Sequence, residues 1–269
     1  MTWSFAPLDS RALIRLGGSD WRDFLQGLIS NDVERLAPGE ARFAGLLTPQ
    51  GRLLFDLFAI GEAEGCLLDV QAAQRQALVL RLSMYRLRAR VEITEDPRPV
   101  AALWGEGSAP AGWIADPRLA ALGFRGVGLE PPGGARTVDE AAYDVWRLGL
   151  GVPDPAKDCA PDKTYPIEAD FDLLNGIDFK KGCYVGQETT SRMKRRGGIR
   201  SRMLPIVFDG PAPAPGAEVL AGELRAGEAL SGQDGRAMAL LRLDRIEGAA
   251  LTVEGRPARV DHPAWMTGN

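Results

Sequence analysis

"KKGCYVGQETT", residues 180–190, sets one cysteine between two glycines, with a doubled lysine before it and Gly-Gln-Glu after it. Gly182 and Gly186 tolerate close backbone approach or a positive φ, and "GQETTSRMKR" can begin a helix just beyond them. Cys183 is therefore expected near a helix N-terminus with Lys180 and Lys181 beside it, and both influences favour thiolate over thiol. Without that frame the same residue reads as a small buried hydrophobe, the usual fate of a free cysteine.

The other cysteines, Cys66 and Cys159, lie far from Cys183, so neither a disulfide framework nor a four-ligand zinc or cluster site fits. The single histidine, His262, lies in the last stretch of the chain and gives no support to a Cys–His nucleophile pair. Any thiol chemistry falls to one cysteine acting alone.

Around this segment the charge is uneven. The chain of 269 residues carries −4 overall, yet residues 180–202 hold eight Lys or Arg against one Glu, a net +7. Such a stretch attracts an anionic ligand or partner, or forms a solvated helix face. Few aromatics interleave with it, so base stacking is not signalled and direct nucleic-acid binding is not expected.

With 45% hydrophobic and 25% charged residues the chain can bury a core and divide into two or three domains. It has no apolar run long enough for a membrane span, and "MTWSFAPLDSRALIRLGG" lacks secretory or transit character. The expectation is a cytoplasmic protein with no membrane partner.

Upstream, "SDWRDFLQGLIS" starts with a good N-cap, Ser19, and spaces Trp21, Phe24, Leu25 and Leu28 on one helical face. "ARFAGLLT" and "RLLFDLFAI" flank the turn "PQG" as a hairpin, "CLLDV" adds a third strand, and "AAQRQALVLRLSMY" is helical. "LRARVEIT" alternates Leu87, Ala89, Val91 and Ile93 as a strand. The order predicts an antiparallel α+β layer. Residues 96–136 are rich in Pro and Gly, with "VAALWG" the clearest strand-like piece. Thr137 and Glu140 form a capping box before "VDEAAYDVWRLGL", which Gly149 or Gly151 can end, and Trp146 on that helix is expected in the core. After Arg200, short strands separated by turn residues read as a small β-barrel.

These pieces carry a resemblance. "KGCYVGQE" (181–188), in order with "FLQGLISNDV", "LLTPQGRLLFDLFAI", "YRLRARVEI", "WRLGLGVP" and "LLNGIDFKKGCYVGQETTSRMKRRG", resembles the YgfZ-type folate-binding proteins. Those are similar to the T-protein, the aminomethyltransferase of the glycine cleavage system. The resemblance implies an α+β fold of two ferredoxin-like antiparallel layers around a central opening, followed by a C-terminal β-barrel. It implies a folate-binding body over residues 1–198, in two interleaved subdomains that meet near 95–136, and the barrel over 199–269.

It implies function too: a tetrahydrofolate-binding accessory protein for assembling or repairing iron–sulfur enzymes, including tRNA-modifying ones, with those clients or assembly factors as partners. The alternative is a folate-dependent aminomethyltransferase or demethylase, a C1-group transferase. By the same resemblance Asp56 is the folate-facing acid, where a solvent-facing strand residue is the bland reading. Glu168 is the acid suited to the pterin donors, or an ordinary helix charge. Arg86 pairs with a folate glutamate carboxylate or with a structural acid. Lys181, Tyr184 and Gln187 complete the expected folate contacts, and Cys183 with Asp56 carries any chemistry. The basic segment suits a polyglutamylated tail. Cys183 and Gln187 stand where the T-protein is patterned differently, which argues against simple aminomethyl transfer.

Overall fold

The computed structural model describes residues 3–266, which form two compact units. The first takes residues 1–143 and 174–187, the second 144–173 and 188–269. In chain order the first unit contains β1 (Trp3–Pro7), β2 (Arg11–Gly17), α1 (Trp21–Gln26), β3 (Ala41–Leu47), β4 (Leu53–Glu62), β5 (Gly65–Gln71), α2 (Arg75–Arg86), β6 (Glu92–Asp96), β7 (Val100–Gly105), β8 (Ile114–Ala115), β9 (Phe124–Val127) and β10 (Arg136–Thr137). The helix α3 (Glu140–Gly149) begins in it.

Two five-stranded sheets build that unit, in the orders β3-β4-β5-β2-β6 and β10-β1-β7-β9-β8. The first two strands of the chain join different sheets, so the layers are interleaved from the start. All pairings are antiparallel except β1 with β10. The predicted hairpin stands as β3 and β4, and β5 follows, buried along its whole length. A strand buried on both faces explains why "CLLDV" is apolar without alternation. One face of this sheet places Leu57, Ala59, Leu68 and Val70 against Trp21, Leu25, Leu28, Leu78 and Leu82 of the helical layer.

Several local expectations are corrected. The Ser19 hydroxyl donates to Asp20 instead of capping α1. The Ala142 N–H is received by Asp139, while Glu140 accepts from the backbone N–H and hydroxyl of Ser10, so the Thr137/Glu140 box does not form. The strand expected from Leu87 starts only at Glu92: α2 runs to Arg86, and Leu87 leaves it at φ 43° with its side chain in solvent. Trp146 is also exposed, away from the core.

The second unit holds the rest of α3, then α4 (Pro155–Asp158), most of α5 (Gln187–Arg196), β11 (Ser201–Phe208), β12 (Glu218–Ala221), β13 (Leu224–Gln233), β14 (Arg236–Arg242), α6 (Leu243–Ile246), β15 (Leu251–Val253) and β16 (Arg256–Val260). Its six strands close as β11-β14-β13-β12-β15-β16. Ala226, Ala229, Ala237 and Ala239 line the barrel core beside Ile206, Phe208, Leu241 and Val253. Small residues facing large ones fill an interior this narrow. In the same unit Arg202 binds Asp170 and Asp172, at 2.7 and 2.9 Å, and Lys194 also reaches Asp172. Burial pushes the Asp170 carboxyl up to about 8, with Arg202 opposing it. Asp170 Oδ2 and the Thr190 hydroxyl, both buried, make no hydrogen bond.

Candidate functional site

Residues 174–187 return to the first unit as a strap sewn down by hydrogen bonds. The Asn31 amide donates to the carbonyls of Asn175 and Phe43, at 2.7 Å each. The Ser30 hydroxyl donates to the Gly176 carbonyl at 2.5 Å and accepts from Gly45 N–H. Asp178 then receives the N–H groups of Lys180 and Lys181 in a tight turn that sets up the cysteine segment.

Lys181 is the principal anchor. Its ammonium donates to the carbonyls of Gln26, Ile29 and Asn31 at 2.8, 2.7 and 2.8 Å, capping α1 and the loop after it. It also lies 5.1 Å from the centre of the Tyr184 ring. Burial lowers its pKa to about 8, with Asp32, Asp178 and Glu34 acting the other way.

On the far side of the cysteine, Tyr184 is buried, Val185 N–H donates to the Gly27 carbonyl, and Gly186 holds φ +82°. A Cβ at Gly186 would collide with the Thr48 carbonyl oxygen and sit 3.0 Å from Leu47 Cβ, so the β3–β4 turn admits only glycine there. Gly182 has open space around it. Between these fixed points Cys183 is exposed, and α5 starts at Gln187 as the sequence predicts. The reading of Cys183 as a buried hydrophobe is thereby excluded. Cys66 is the opposite case, buried in β5 with its thiol pushed up to about 12 by burial.

Asp56 lies on the sheet face opposite the helices, buried, with Oδ2 3.0 Å from the Arg11 guanidinium. Arg11 also binds Asp69 at 2.6 Å, Asp69 receives Arg125, and Arg125 reaches Asp116 at 3.3 Å. Asp116 then pairs with Arg118, which donates to the Tyr143 hydroxyl. Three arginines and three aspartates thus form a buried chain joining the two sheets. Arg125, Arg118 and Arg11 pack over the Phe58 ring at 3.5, 5.0 and 5.4 Å. Burial opposes the charges, but the partners win: the Arg11 pKa is raised by Asp69 and Asp56, and that of Asp116 is lowered by Arg118 and Arg125. The sequence reading missed this chain. Its legible signals are Asp56 and Asp69, each an aspartate within an otherwise apolar strand segment.

Arg86 ends α2 on the helical side of the sheet, with its guanidinium 3.5 Å from the Val91 carbonyl, so the structure does not bring it to Asp56. Glu168 belongs to the second unit and accepts the Tyr165 N–H at 2.9 Å. Of the seven cations between 180 and 202 whose side chains are described, Lys181, Lys194 and Arg202 are directed at carbonyls or carboxylates, and Lys180, Arg192, Arg195 and Arg200 are exposed. No helix among the described residues is long and apolar enough to cross a membrane, and no group of three His, Cys, Asp or Glu among them could hold a metal ion.

The fold matches that of the glycine cleavage system aminomethyltransferase T from Bartonella henselae, with a TM-score of 0.80, 19% identity, and coverage of 98% of this chain and 86% of that one. The GcvT-like architecture expected from the sequence is therefore present, closed barrel included. The family described as CAF17, C-terminal beta-barrel domain, matches residues 200–268.

Among relatives, the human mitochondrial iron–sulfur cluster assembly factor IBA57 is 34% identical over 91% of this chain and 79% of its own length. The Mus musculus protein of the same name is 32% identical over 92% and 80%. The Mycosarcoma maydis homolog is 34% identical over 77% of this chain, which spans 58% of it. These relatives bear mitochondrial names, which overturns the cytoplasmic expectation. That expectation rested on the lack of a membrane-spanning apolar run and of secretory or transit character in the first residues, neither of which fixes the compartment. With a resemblance of this extent to proteins named for cluster assembly, the chain belongs to the IBA57 family of iron–sulfur cluster assembly factors.

Proposed function

We propose that the chain is a reduced-folate-binding accessory factor for the assembly or repair of iron–sulfur enzymes, tRNA-modifying ones included, with Cys183 as its point of contact with a cluster presented by a partner. The observation that carries this reading is the exposed thiol on a turn fixed by Lys181 on one side and Gly186 on the other. On meeting such a cluster the S–H bond would be replaced by an S–Fe bond, the proton passing to solvent and one of the partner's ligands leaving the iron, with no change of oxidation state. The cluster is cargo here.

For tetrahydrofolate the fit differs from residue to residue. The carboxylates of Asp56 and Glu168 are acceptors of the kind the pterin amino and ring N–H groups require. Lys181 is committed to three carbonyls and Arg86 lies on the opposite sheet face from Asp56, so neither suits a direct contact. Tyr184 and Gln187 shape the strap beside Cys183. The transferase alternative gains nothing from Asp56, which is tied to Arg11.

Two measurements test the two halves separately. Calorimetric titration with tetrahydrofolate and its 5-formyl and 5,10-methylene forms should give saturable binding, weakened by Asp56→Asn. No heat at about 1 mM ligand, equivalent to about −4 kcal/mol, removes folate from the reading. In cells whose only copy is Cys183→Ala, iron–sulfur enzyme activity should fall while Cys159→Ala leaves it unchanged. Undiminished activity in the first strain removes the thiol.

A further inference from the structure

The helix α2 has a face that the cysteine strap and the ionic chain leave unused. Its inner residues Leu78 and Leu82 are buried in the helical layer. On the outer side Leu80, Met84 and Leu87 follow at spacings of four and three, and are 66%, 68% and 88% exposed. Leu87, immediately after the last helical residue, has φ 43° and ψ −107°. A leucine holds such a backbone only where its surroundings impose it, and residues of this kind concentrate where a surface is used. Solvent-exposed leucine in a strained conformation is doubly unfavourable for the isolated chain.

The charge around the stripe is of one sign. Residues 72–91 contain Arg75, Arg81, Arg86, Arg88 and Arg90, and neither Asp nor Glu. Arg75 and Arg90 have carboxylate partners in Glu95 and Asp20, whereas Arg81 and Arg88 have none among the described residues.

We propose that this face docks a partner protein presenting an apolar ridge flanked by carboxylates. Three features select that occupant. The cations are all arginine, whose planar fork matches carboxylates, and arginine and methionine are enriched at protein interfaces where lysine is depleted. The stripe has no Trp, Tyr or Phe, the anchors of a lipid interface. A second copy using the same face would set arginine against arginine, which opposes a symmetric pair. The inference is independent of folate and of Cys183.

The test replaces Ser83, exposed between Leu80 and Met84, with photoreactive benzoylphenylalanine in the full chain, irradiated in cells. The expected result is a dominant adduct with one acidic protein. That protein, purified, should bind the full chain with an affinity lowered about tenfold or more by Leu80→Asp with Leu87→Asp. Arg81→Glu with Arg88→Glu should weaken it more at about 0.05 M salt than at 0.5 M. All variants should keep the parental melting temperature, since Leu80, Leu87 and Arg88 are exposed and Arg81 is only half-buried with no carboxylate partner among the described residues. The proposal is overturned by the absence of a dominant adduct, or by an adduct partner indifferent to both pairs of substitutions. It is equally overturned if those substitutions abolish sedimentation with vesicles containing about 30% phosphatidylserine, or abolish a dimer seen by sedimentation equilibrium.

Discussion

Lys181 Nζ stands 2.7 Å from the carbonyl oxygen of Ile29, a bond that spans 152 residues of sequence. Together with the bonds to Gln26 and Asn31 it pins the cysteine strap to the end of α1. Lys181→Met keeps much of the side-chain bulk but leaves three carbonyls without their donor. Unsatisfied buried acceptors cost about 1–3 kcal/mol each before water relieves them, so a loss of roughly 2–4 kcal/mol is expected. Urea unfolding gives the figure, and limited proteolysis should show earlier cleavage within residues 174–187. A variant as stable and as resistant as the parent would refute the anchoring role.

The two glycines around the thiol are expected to respond differently to the same substitution. At Gly186, Ala meets the Thr48 carbonyl and is held at φ +82°, so Gly186→Ala should destabilise by about 2 kcal/mol or more. At Gly182 nothing lies within 4 Å of a new Cβ, so Gly182→Ala should change stability by less than about 0.5 kcal/mol. Equal effects in thermal melts would count against the observed packing of the β3–β4 turn.

Asp170 predicts a pH dependence. Its folded value of about 8 lies above the ordinary 3.8, so between these values the folded chain keeps a proton that the unfolded chain has released. The stabilisation is complete at and below about pH 4 and is lost as pH rises through 8. Around the carboxyl, Arg202 opposes this, Asp172 adds to it, and Lys194 neutralises part of Asp172. Asp170→Asn keeps the group neutral and tolerates φ 60°. The urea midpoints of parent and variant should therefore separate in favour of the variant as pH rises from 4 to 8. Parallel curves would show that Asp170 is ionised throughout.

The thiols should separate by accessibility. Iodoacetamide at pH 7.5 should modify Cys183 first, while Cys66, buried and pushed up to about 12, should react only on unfolding. Cys183→Ala should melt within about 0.5 kcal/mol of the parent, as a surface change does. Mass spectrometry of the labelled peptides reads the order, and modification of Cys66 in the native state would contradict it.

What the sequence revealed follows from the range of the forces involved. The hairpin of β3 and β4, the strand β5 and the start of α5 were legible because alternation, a turn glycine and a helix composition are local signals. Leu87, Ala89, Val91 and Ile93 alternate as a strand does, but only Ile93 lies in β6; Leu87 to Val91 form the connection after α2, which Leu87 enters exposed and at positive φ. The strands β1 and β2 went unread. Cys183 was identifiable from its immediate neighbours, but the role of Lys181 was not, since its acceptors lie about 150 positions away. Arg11, Asp69 and Arg125 were equally hidden: three charges far apart in sequence become one buried chain only after two sheets meet.

The strap formed by residues 174–187 belongs to a unit whose other residues end at 143, with thirty residues of the second unit synthesised in between. A ribosome-bound chain can therefore pair its two sheets long before it can supply the donors for the Gln26, Ile29 and Asn31 carbonyls. Until residue 187 has emerged, α1 lacks its cap and the thiol has no fixed position. Exposure of a positioned Cys183 thus reports that synthesis has passed the strap and that the first unit has closed around it. Truncated or stalled products that end before residue 181 lack the Lys181 anchor on those carbonyls.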